Sequence, residues 1–279
     1  MDGFFLARKE KGISSNGVVQ EIKKKFNFKK VGHLGTLDPM ATGLLIIAIN
    51  KATKFSSYFL NEIKGYSAEV TLGGSSNTDD AEGVITDKGN LPLSSEVVLK
   101  SLNSFLGTSL QQAPFFSALK HKGKPLYKYA REGELISKPP REITIIDIQN
   151  PSYTSPCLDF DIICSKGTYI RSIARDIGDL LDCGGYLSKL ERIQQGCFSV
   201  GSAKYIKDLT LDSMISIQDA FPDFDSINLN EADTKIYKNG GRVESINGSE
   251  KIIKIYTHSQ EFIGLGQMNE MGLKLKQLV

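Results

Sequence analysis

Residues 44–49 constrain the fold of this chain most, because six successive apolar residues, LLIIAI, lie between Gly43 and Asn50. A short apolar run with such boundaries is typical of a β-strand that is buried on both faces. We therefore expect a sheet strand here that has no solvent-facing side.

The spacing of apolar residues elsewhere predicts both helices and strands. Helices are expected at residues 14–26, 94–107 and 168–185. Strands are expected at residues 65–74, 141–150 and 158–167, and a loop at residues 31–43. Because these elements follow no regular βαβ order, we expect an α+β domain on a largely antiparallel sheet.

The chain is also expected to divide into two domains. Residues 222–230, PDFDSINLN, are interpreted as a linker, and the stretch that begins YKNGGRVES at Tyr237 as the short strands and turns of a small β module. We therefore predict one domain at residues 1–225 and a β-rich domain at residues 226–279.

Composition excludes several classes of protein. No apolar run approaches the ~18 residues of a membrane span, and the first residues lack the layout of a signal peptide, so a cytoplasmic location is expected. Four cysteines without C-x-x-C spacing are interpreted as buried thiols in a reducing compartment. The three histidines fit no standard zinc spacing with them, and no structural metal is expected.

Charge is unevenly distributed along the chain. Residues 1–60 hold ten Lys/Arg against four Asp/Glu, giving +6, and residues 113–142 hold seven against three, giving +4. Residues 143–225 hold seven against twelve, giving −5. Two basic blocks suit a polyanionic partner, although solvated surface charge would give the same pattern.

Asp38 is the only acidic residue within residues 32–50, a stretch rich in glycine and threonine. Pro39 biases Asp38 toward extended backbone angles, while Gly35 and Gly43 permit tight turns or close approach of a ligand. The residues allow two interpretations, a rigid loop that presents a reactive carboxylate and an Asx turn in which the aspartate caps its own loop.

A cation near Asp38 would keep the carboxylate ionised and oriented as a nucleophile or base. Arg171 and Arg175 lie four residues apart on the predicted helix at residues 168–185, so they share one face. They are the candidates for this pairing, and a solvent-facing position for both is the alternative.

Residues 112–133 interleave aromatic rings with cations, an arrangement that suits single-stranded RNA because cations contact phosphates and rings stack on bases. The alternative is an amphipathic helix whose lysines lie on its solvent-exposed face. The rings and cations are Phe115, Phe116, Tyr127, Tyr129, Lys120, Lys122, Lys124, Lys128 and Arg131.

Several motifs together resemble the TruB family of bacterial tRNA pseudouridine synthases. GHLGTLDPMATGLL resembles the catalytic signature of that family. The blocks KGYSAEVTLG, DDAEGVI, APFFSALKHKGKPLYKYAREG, CSKGTYIRSIARDIG and YLSKLERIQQGCFSV continue the resemblance in the same order over residues 4–205. The tail resembles the PUA-like RNA-binding domain of the family more weakly.

The resemblance implies a pseudouridine synthase fold, with helices flanking the central sheet, and a defined activity. The expected reaction is isomerisation of uridine to pseudouridine in the T-loop of tRNA, at the position conventionally called 55, with no cofactor and no metal. The expected partner is tRNA, contacted at its T-stem-loop and acceptor region by a monomer without an obligate protein partner. An accessory role in tRNA folding is also expected.

The resemblance further assigns roles to individual residues. Asp38 matches the essential aspartate, which attacks the sugar or the ring or removes a ribose proton. The expected substrate-binding residues are His33 in the space left by the flipped nucleotide, Tyr66 on the base, Lys166 on a phosphate, Tyr169 on the substrate, Arg171 on the aspartate and Leu190 in the pocket wall.

Two departures from the family pattern are expected to change RNA affinity rather than chemistry. Glu191 stands where the family often has arginine, and it is expected to weaken a phosphate contact or to pair with Arg192. Asn77 stands where an aspartate is usual, while Asp80 keeps the later acid.

Two further functions are compatible with the sequence. One is a tRNA chaperone without chemistry, which the intact Asp38, Tyr66 and Arg171 disfavour. The other is a synthase that acts on rRNA or with a guide RNA, which the short chain and simple tail disfavour.

Overall fold

The computed structural model describes residues 1–92 and 94–279. The strands, in chain order, are β1 (Gly3–Lys9), β2 (Val31–His33), β3 (Thr42–Ile49), β4 (Lys64–Leu72), β5 (Gly74–Ser76), β6 (Ile85–Asp87), β7 (Gly107–Gln111), β8 (Lys120–His121), β9 (Lys124–Pro125), β10 (Arg141–Thr154), β11 (Cys157–Cys164), β12 (Gly185–Gln195), β13 (Phe198–Ser199), β14 (Ile215–Ser216), β15 (Ser226–Leu229), β16 (Arg242–Val243), β17 (Lys251–Thr257), β18 (Phe262–Asn269) and β19 (Gly272–Leu278).

The helices are shorter and lie between the strands. They are α1 (Ser15–Phe26), α2 (Ser56–Leu60), α3 (Ser95–Asn103), α4 (Leu126–Arg131), α5 (Ile170–Leu180) and α6 (Glu231–Lys238), with 3₁₀ turns at Asn50–Phe55, Val200–Ser202, Ile206–Asp208 and Leu211–Ser213. Within residues 1–92 and 94–279, none of these helices has the length and apolar composition needed to cross a membrane.

The main sheet has the strand order β14-β1-β3-β12-β4-β11-β10-β7, with β2 paired on β3 and β13 on β12. All pairs in it are antiparallel except β3 with β12. The predicted α+β class and largely antiparallel sheet are therefore confirmed. Each predicted helix and strand is present within a few residues of its expected bounds.

Strand β3 is buried on both faces, as the run at residues 44–49 predicts. Leu45, Ile47 and Ile49 pack into a core beneath α1 and α5. On the opposite face, Leu44 and Ile46 join a second core that reaches the C-terminal sheet through Leu265. Because successive side chains of a strand point to opposite faces, one apolar run supplies both cores.

The C-terminal part of the chain forms a second sheet in the order β15-β17-β18-β19-β16. One expectation about this region is wrong. Residues 222–230 are not a plain linker, because β15 pairs in parallel with β17 and completes the sheet. The strands expected after Tyr237 are present, and they are preceded by α6, which begins at an Asn230 side-chain cap and buries Tyr237 against the sheet.

Two smaller expectations also need correction. The predicted loop at residues 31–43 contains β2, whose three residues pair with β3. The four cysteines are not all buried, because Cys157 is half-buried and Cys197 is exposed. Sequence spacing does not reveal exposure where a residue lies near a turn, as Cys197 does between β12 and β13.

Candidate active site

The loop at residues 34–41 carries Asp38 and is fixed from several elements. Ser15, at the start of α1, donates to the Leu37 carbonyl at 3.0 Å and accepts from the Leu37 amide at 2.8 Å. The fully buried ammonium of Lys9 on β1 donates to the carbonyls of Pro39 at 3.1 Å and Ala41. Burial lowers the pKa of Lys9 to about 8, which the Asp38 carboxylate partly opposes.

The opposite end of the loop rests on Arg192 of β12, whose side chain is 1% exposed. Its guanidinium donates to the carbonyls of Leu44 at 2.8 Å and Gly35 at 3.0 Å. Burial lowers the pKa of Arg192 below its usual value, and the adjacent Tyr66 hydroxyl opposes that effect. Two buried cations therefore hold the backbone of the Asp38 loop in one conformation.

Asp38 pairs with Arg171 of α5, with 2.9 Å between Oδ2 and Nε. The Nε–H is not aligned on that oxygen, so the contact is an ion pair rather than a directed hydrogen bond. Within the described chain, the carboxylate makes no hydrogen bond to its own loop, which disfavours the Asx-turn interpretation. Burial raises the pKa of Asp38, Arg171 lowers it and Asp80 adds to the rise.

Arg171 is itself held on every side, and its side chain is only 4% exposed. Nη1 donates to the Thr78 carbonyl at 3.1 Å and lies 3.5 Å from Asp80 Oδ2, while Nη2 donates to the Phe116 carbonyl at 3.0 Å. A buried ion pair is weak evidence for stability because desolvation offsets the attraction. The arrangement is better explained as orientation of the Asp38 carboxylate.

A cavity of about 280 Å³ opens beside this ion pair. Five residues expected from the sequence line it: Asp38, Tyr66, Tyr169, Arg171 and Leu190. Burial raises the pKa of Tyr66, so its hydroxyl stays protonated over a wide pH range. A ring face, an apolar wall and a carboxylate within one cavity are suited to hold a planar base beside its sugar.

The other two expected residues lie outside this cavity. His33, on β2, lines a second cavity of about 620 Å³ on the other side of Asp38. Its Nδ1 is buried without a hydrogen-bond partner in the described chain, and burial lowers its pKa. Lys166 is exposed near the rim and donates to Asn61 Oδ1 at 2.8 Å, so it reaches neither cavity wall.

Sequence reasoning missed several residues of the site. Arg141 lines the first cavity and lies over the Tyr169 ring, with 4.6 Å from Cζ to the ring centroid. Lys64 also lines it, and burial lowers the pKa of Lys64 to about 8. Arg192 could have been found, because residues two apart on a strand share a face and Leu190 was already assigned.

The departures from the family pattern have structural explanations. Glu191 does not pair with Arg192, because neighbouring strand residues point to opposite faces, and it pairs with Arg8 at 2.8 Å instead. Asn77 accepts the Val84 amide at 2.8 Å and closes the turn that carries Asp80. Asn77 therefore acts in forming the turn whose Thr78 carbonyl and Asp80 carboxylate contact Arg171.

Arg175 does not reach Asp38. It pairs with Asp79 at 3.0 Å and with Asp176 at 2.7 Å, and it donates to the Gln112 carbonyl at 3.2 Å. Of the two arginines on this helix face, Arg171 is the one that meets the carboxylate.

The basic aromatic segment at residues 112–133 is not one amphipathic helix. It contains the β8–β9 pair and the short helix α4. Lys124 lies 4.5 Å above the Tyr129 ring, and Arg131 lies 5.6 Å from the Tyr127 centroid. These rings are engaged by cations of their own segment, whereas Phe115 stays exposed.

Comparison with known proteins agrees with this geometry. Residues 23–170 match the family model for the TruB family pseudouridylate synthase N-terminal domain, and residues 226–276 match the pseudouridine synthase II TruB C-terminal model. The tRNA pseudouridine synthase B of Clostridium novyi (strain NT) is 38% identical over 100% of both chains. That of Pasteurella multocida (strain Pm70) is 35% identical over 97% of this chain and 92% of its own.

Solved structures share the fold at lower identity. A chain of an H/ACA RNP bound to a substrate RNA containing 2′-deoxyuridine superposes with a TM-score of 0.73 at 20% identity, covering 99% of this chain and 84% of its own. A chain of a Cbf5-Nop10-Gar1 complex gives 0.73 at 22% identity, with the same coverage.

The fold and the site therefore define a pseudouridine synthase, an isomerase with a PUA-like C-terminal domain. Within that class the chain belongs to the TruB family.

Proposed function

We propose that the protein converts uridine to pseudouridine in the T-loop of tRNA, at position 55, with Asp38 as the catalytic residue. The observation that carries the proposal is the shared cavity of Asp38, Arg171, Tyr66 and Leu190. The names of the full-length relatives, tRNA pseudouridine synthase B, supply the RNA class.

The reaction needs a nucleotide turned out of its stack. During it the N1–C1′ bond breaks, the C5–C1′ bond forms, C5 loses a proton and N1 gains one, so the composition is unchanged. Unstacking costs a few kcal/mol, which the cavity must offset by contacts to the flipped base. Tyr66 offers the ring face, Leu190 the apolar wall, and His33 the group that occupies the space left in the RNA.

Asp38 has three routes open to it, which are attack on C1′, attack on the ring and removal of a ribose proton. In each, the ionised carboxylate is the reactive form, and Arg171 favours that form from 2.9 Å. We assign the Tyr66 hydroxyl, which burial keeps protonated, to assist proton transfer at C5 as a relay that passes its own proton on while it takes the one that C5 loses. Lys166 and Arg141 carry positive charge at the rim of the first cavity, and this charge suits contacts to phosphates that position the RNA.

The decisive experiment is Asp38→Asn with an unmodified tRNA transcript and a bare T-stem-loop, followed by site-resolved pseudouridine detection. We expect no product at the T-loop uridine and nearly unchanged RNA binding. Asp159→Asn, which changes an exposed carboxylate away from the cavity, is the matched control and should retain full activity. Full activity in Asp38→Asn would refute the assignment, and an inert bare hairpin would favour a guided enzyme instead.

A further inference from the structure

Gln111 is a buried amide on a strand that is otherwise exposed. The other residues of β7, at the edge of the main sheet, face solvent, but Gln111 is 3% exposed. Burying an amide is costly unless its donor and acceptor both have partners. A buried glutamine at a sheet edge therefore marks a position where both partners are supplied.

Both partners of Gln111 belong to one residue at the start of α5. Gln111 Nε2 donates to the Tyr169 carbonyl at 3.0 Å, and the Tyr169 amide donates to Gln111 Oε1 at 2.8 Å. Tyr169 is the N-cap residue of α5, and it makes no side-chain cap of its own. The side-chain amide thus fixes the N-cap residue of the helix by two hydrogen bonds to its backbone, as a paired strand would.

The residues that follow Gln111 also contact the N-terminal part of α5. The Gln112 carbonyl accepts from Ser172 Oγ at 2.8 Å and from Arg175 at 3.2 Å, and the Phe116 carbonyl accepts from Arg171 at 3.0 Å. Among the described residues on the β7 side of this contact, only Gln111 contributes a side chain, whereas the other acceptors are backbone carbonyls. Its contribution can therefore be removed by one substitution.

We propose that Gln111 is a positioning residue that holds the start of α5 so that Arg171 meets Asp38. Arg171 follows Tyr169 by two residues, so a displacement of the N-cap moves the guanidinium with it. Gln111 does not border the cavity, and it acts only through Tyr169 and the helix. A misplacement of about 1 Å at a reacting group can cost roughly 100-fold in rate. The inference rests on the proposed function for its effect on rate, but not for its effect on geometry.

Gln111→Met tests this proposal, because it keeps the side-chain length and removes both hydrogen bonds. We expect the single-turnover rate on saturating T-stem-loop RNA to fall at least tenfold, while the RNA dissociation constant changes less than threefold. Thr108→Val is the matched control, because it removes a side-chain contact between β7 and β10 without touching α5. Its rate should stay within twofold of the unsubstituted protein.

A second measurement is independent of activity. The ¹³C signal of the Asp38 carboxyl is titrated in each protein, since Arg171, Asp80 and Lys9 are the charged groups that face it. Withdrawal of Arg171 would raise the Asp38 titration midpoint in Gln111→Met and leave Thr108→Val unchanged. Gln111→Glu, which keeps the acceptor for the Tyr169 amide, replaces Gln111→Met if the latter does not fold.

The outcomes separate the two proposals. An unchanged rate and midpoint in folded Gln111→Met overturn the positioning role, as does an equal loss in Thr108→Val. If the unsubstituted protein makes no pseudouridine, the proposed function fails, and the Asp38 midpoint alone decides the role of Gln111.

Discussion

Arg192 allows a sharp prediction because it is a wholly buried cation that pairs with no carboxylate in the described chain. We consider Arg192→Met, which fills much of the same volume without charge. The two shorter hydrogen bonds from the guanidinium, to the carbonyls of Leu44 and Gly35, are lost together with a longer one of 3.5 Å to the Thr36 carbonyl, which is left out of the sum. Hydrogen bonds from a charged donor contribute about 1.5–3 kcal/mol each, so the gross loss is about 3–6 kcal/mol.

A second effect opposes this loss. Burying an unpaired charge costs several kcal/mol of folding free energy, and the methionine variant avoids this cost because it buries no charge. Because the two contributions are similar in size, we expect the free energy of unfolding to change by about 2 kcal/mol or less. The Asp38 loop, however, loses its anchor at Gly35, and a shift of about 1 Å at the carboxylate would lower kcat roughly 100-fold.

The assay combines urea unfolding with single-turnover kinetics on saturating T-stem-loop RNA. Lys189→Met is the control, because it removes an exposed cation from the same strand, and solvent largely screens the ion pair of Lys189 with Glu69. A large loss of stability in Arg192→Met would show that the carbonyl contacts outweigh desolvation. An unchanged kcat in the folded variant would refute the claim that Arg192 orders the Asp38 loop.

Three further predictions concern pH, the core and RNA affinity. Because burial raises the pKa of Asp38, kcat/KM should fall with decreasing pH at a midpoint above that of an ordinary aspartate, and Asp80→Asn, which removes a negative neighbour, should move that midpoint to lower pH. A pH–rate profile that titrates at the ordinary value would contradict this. Ile46→Ala, in the core between the two sheets, should cost about 2–5 kcal/mol in urea unfolding without changing kcat of the folded protein. Lys128→Ala, an exposed change in α4, should weaken RNA binding and reduce the salt slope by about 1, and an unchanged slope would place α4 outside the RNA footprint.

The sequence predicted elements whose signals are local. The apolar run at residues 44–49 is stable as a strand that is covered on both faces. The stripe of apolar residues in α5 likewise predicts a helix with one buried face. Asp38 stood out because Pro39 restricts its backbone and the nearby glycines permit the tight turns of a short loop. In each case the information lies within a few residues of the feature.

Tertiary structure decided the contacts between distant segments. Whether Arg171 or Arg175 meets Asp38 depends on the rotation of α5, and both arginines satisfy the same helical spacing. The buried roles of Lys9, Gln111 and Arg192 are set by carbonyl groups elsewhere in the chain, and a backbone carbonyl has no residue-specific signature in the sequence. The sequence by itself therefore determined most of the helices and strands and singled out Asp38 as the candidate reactive carboxylate, while the three-dimensional packing of loops against strands decided how that carboxylate is held.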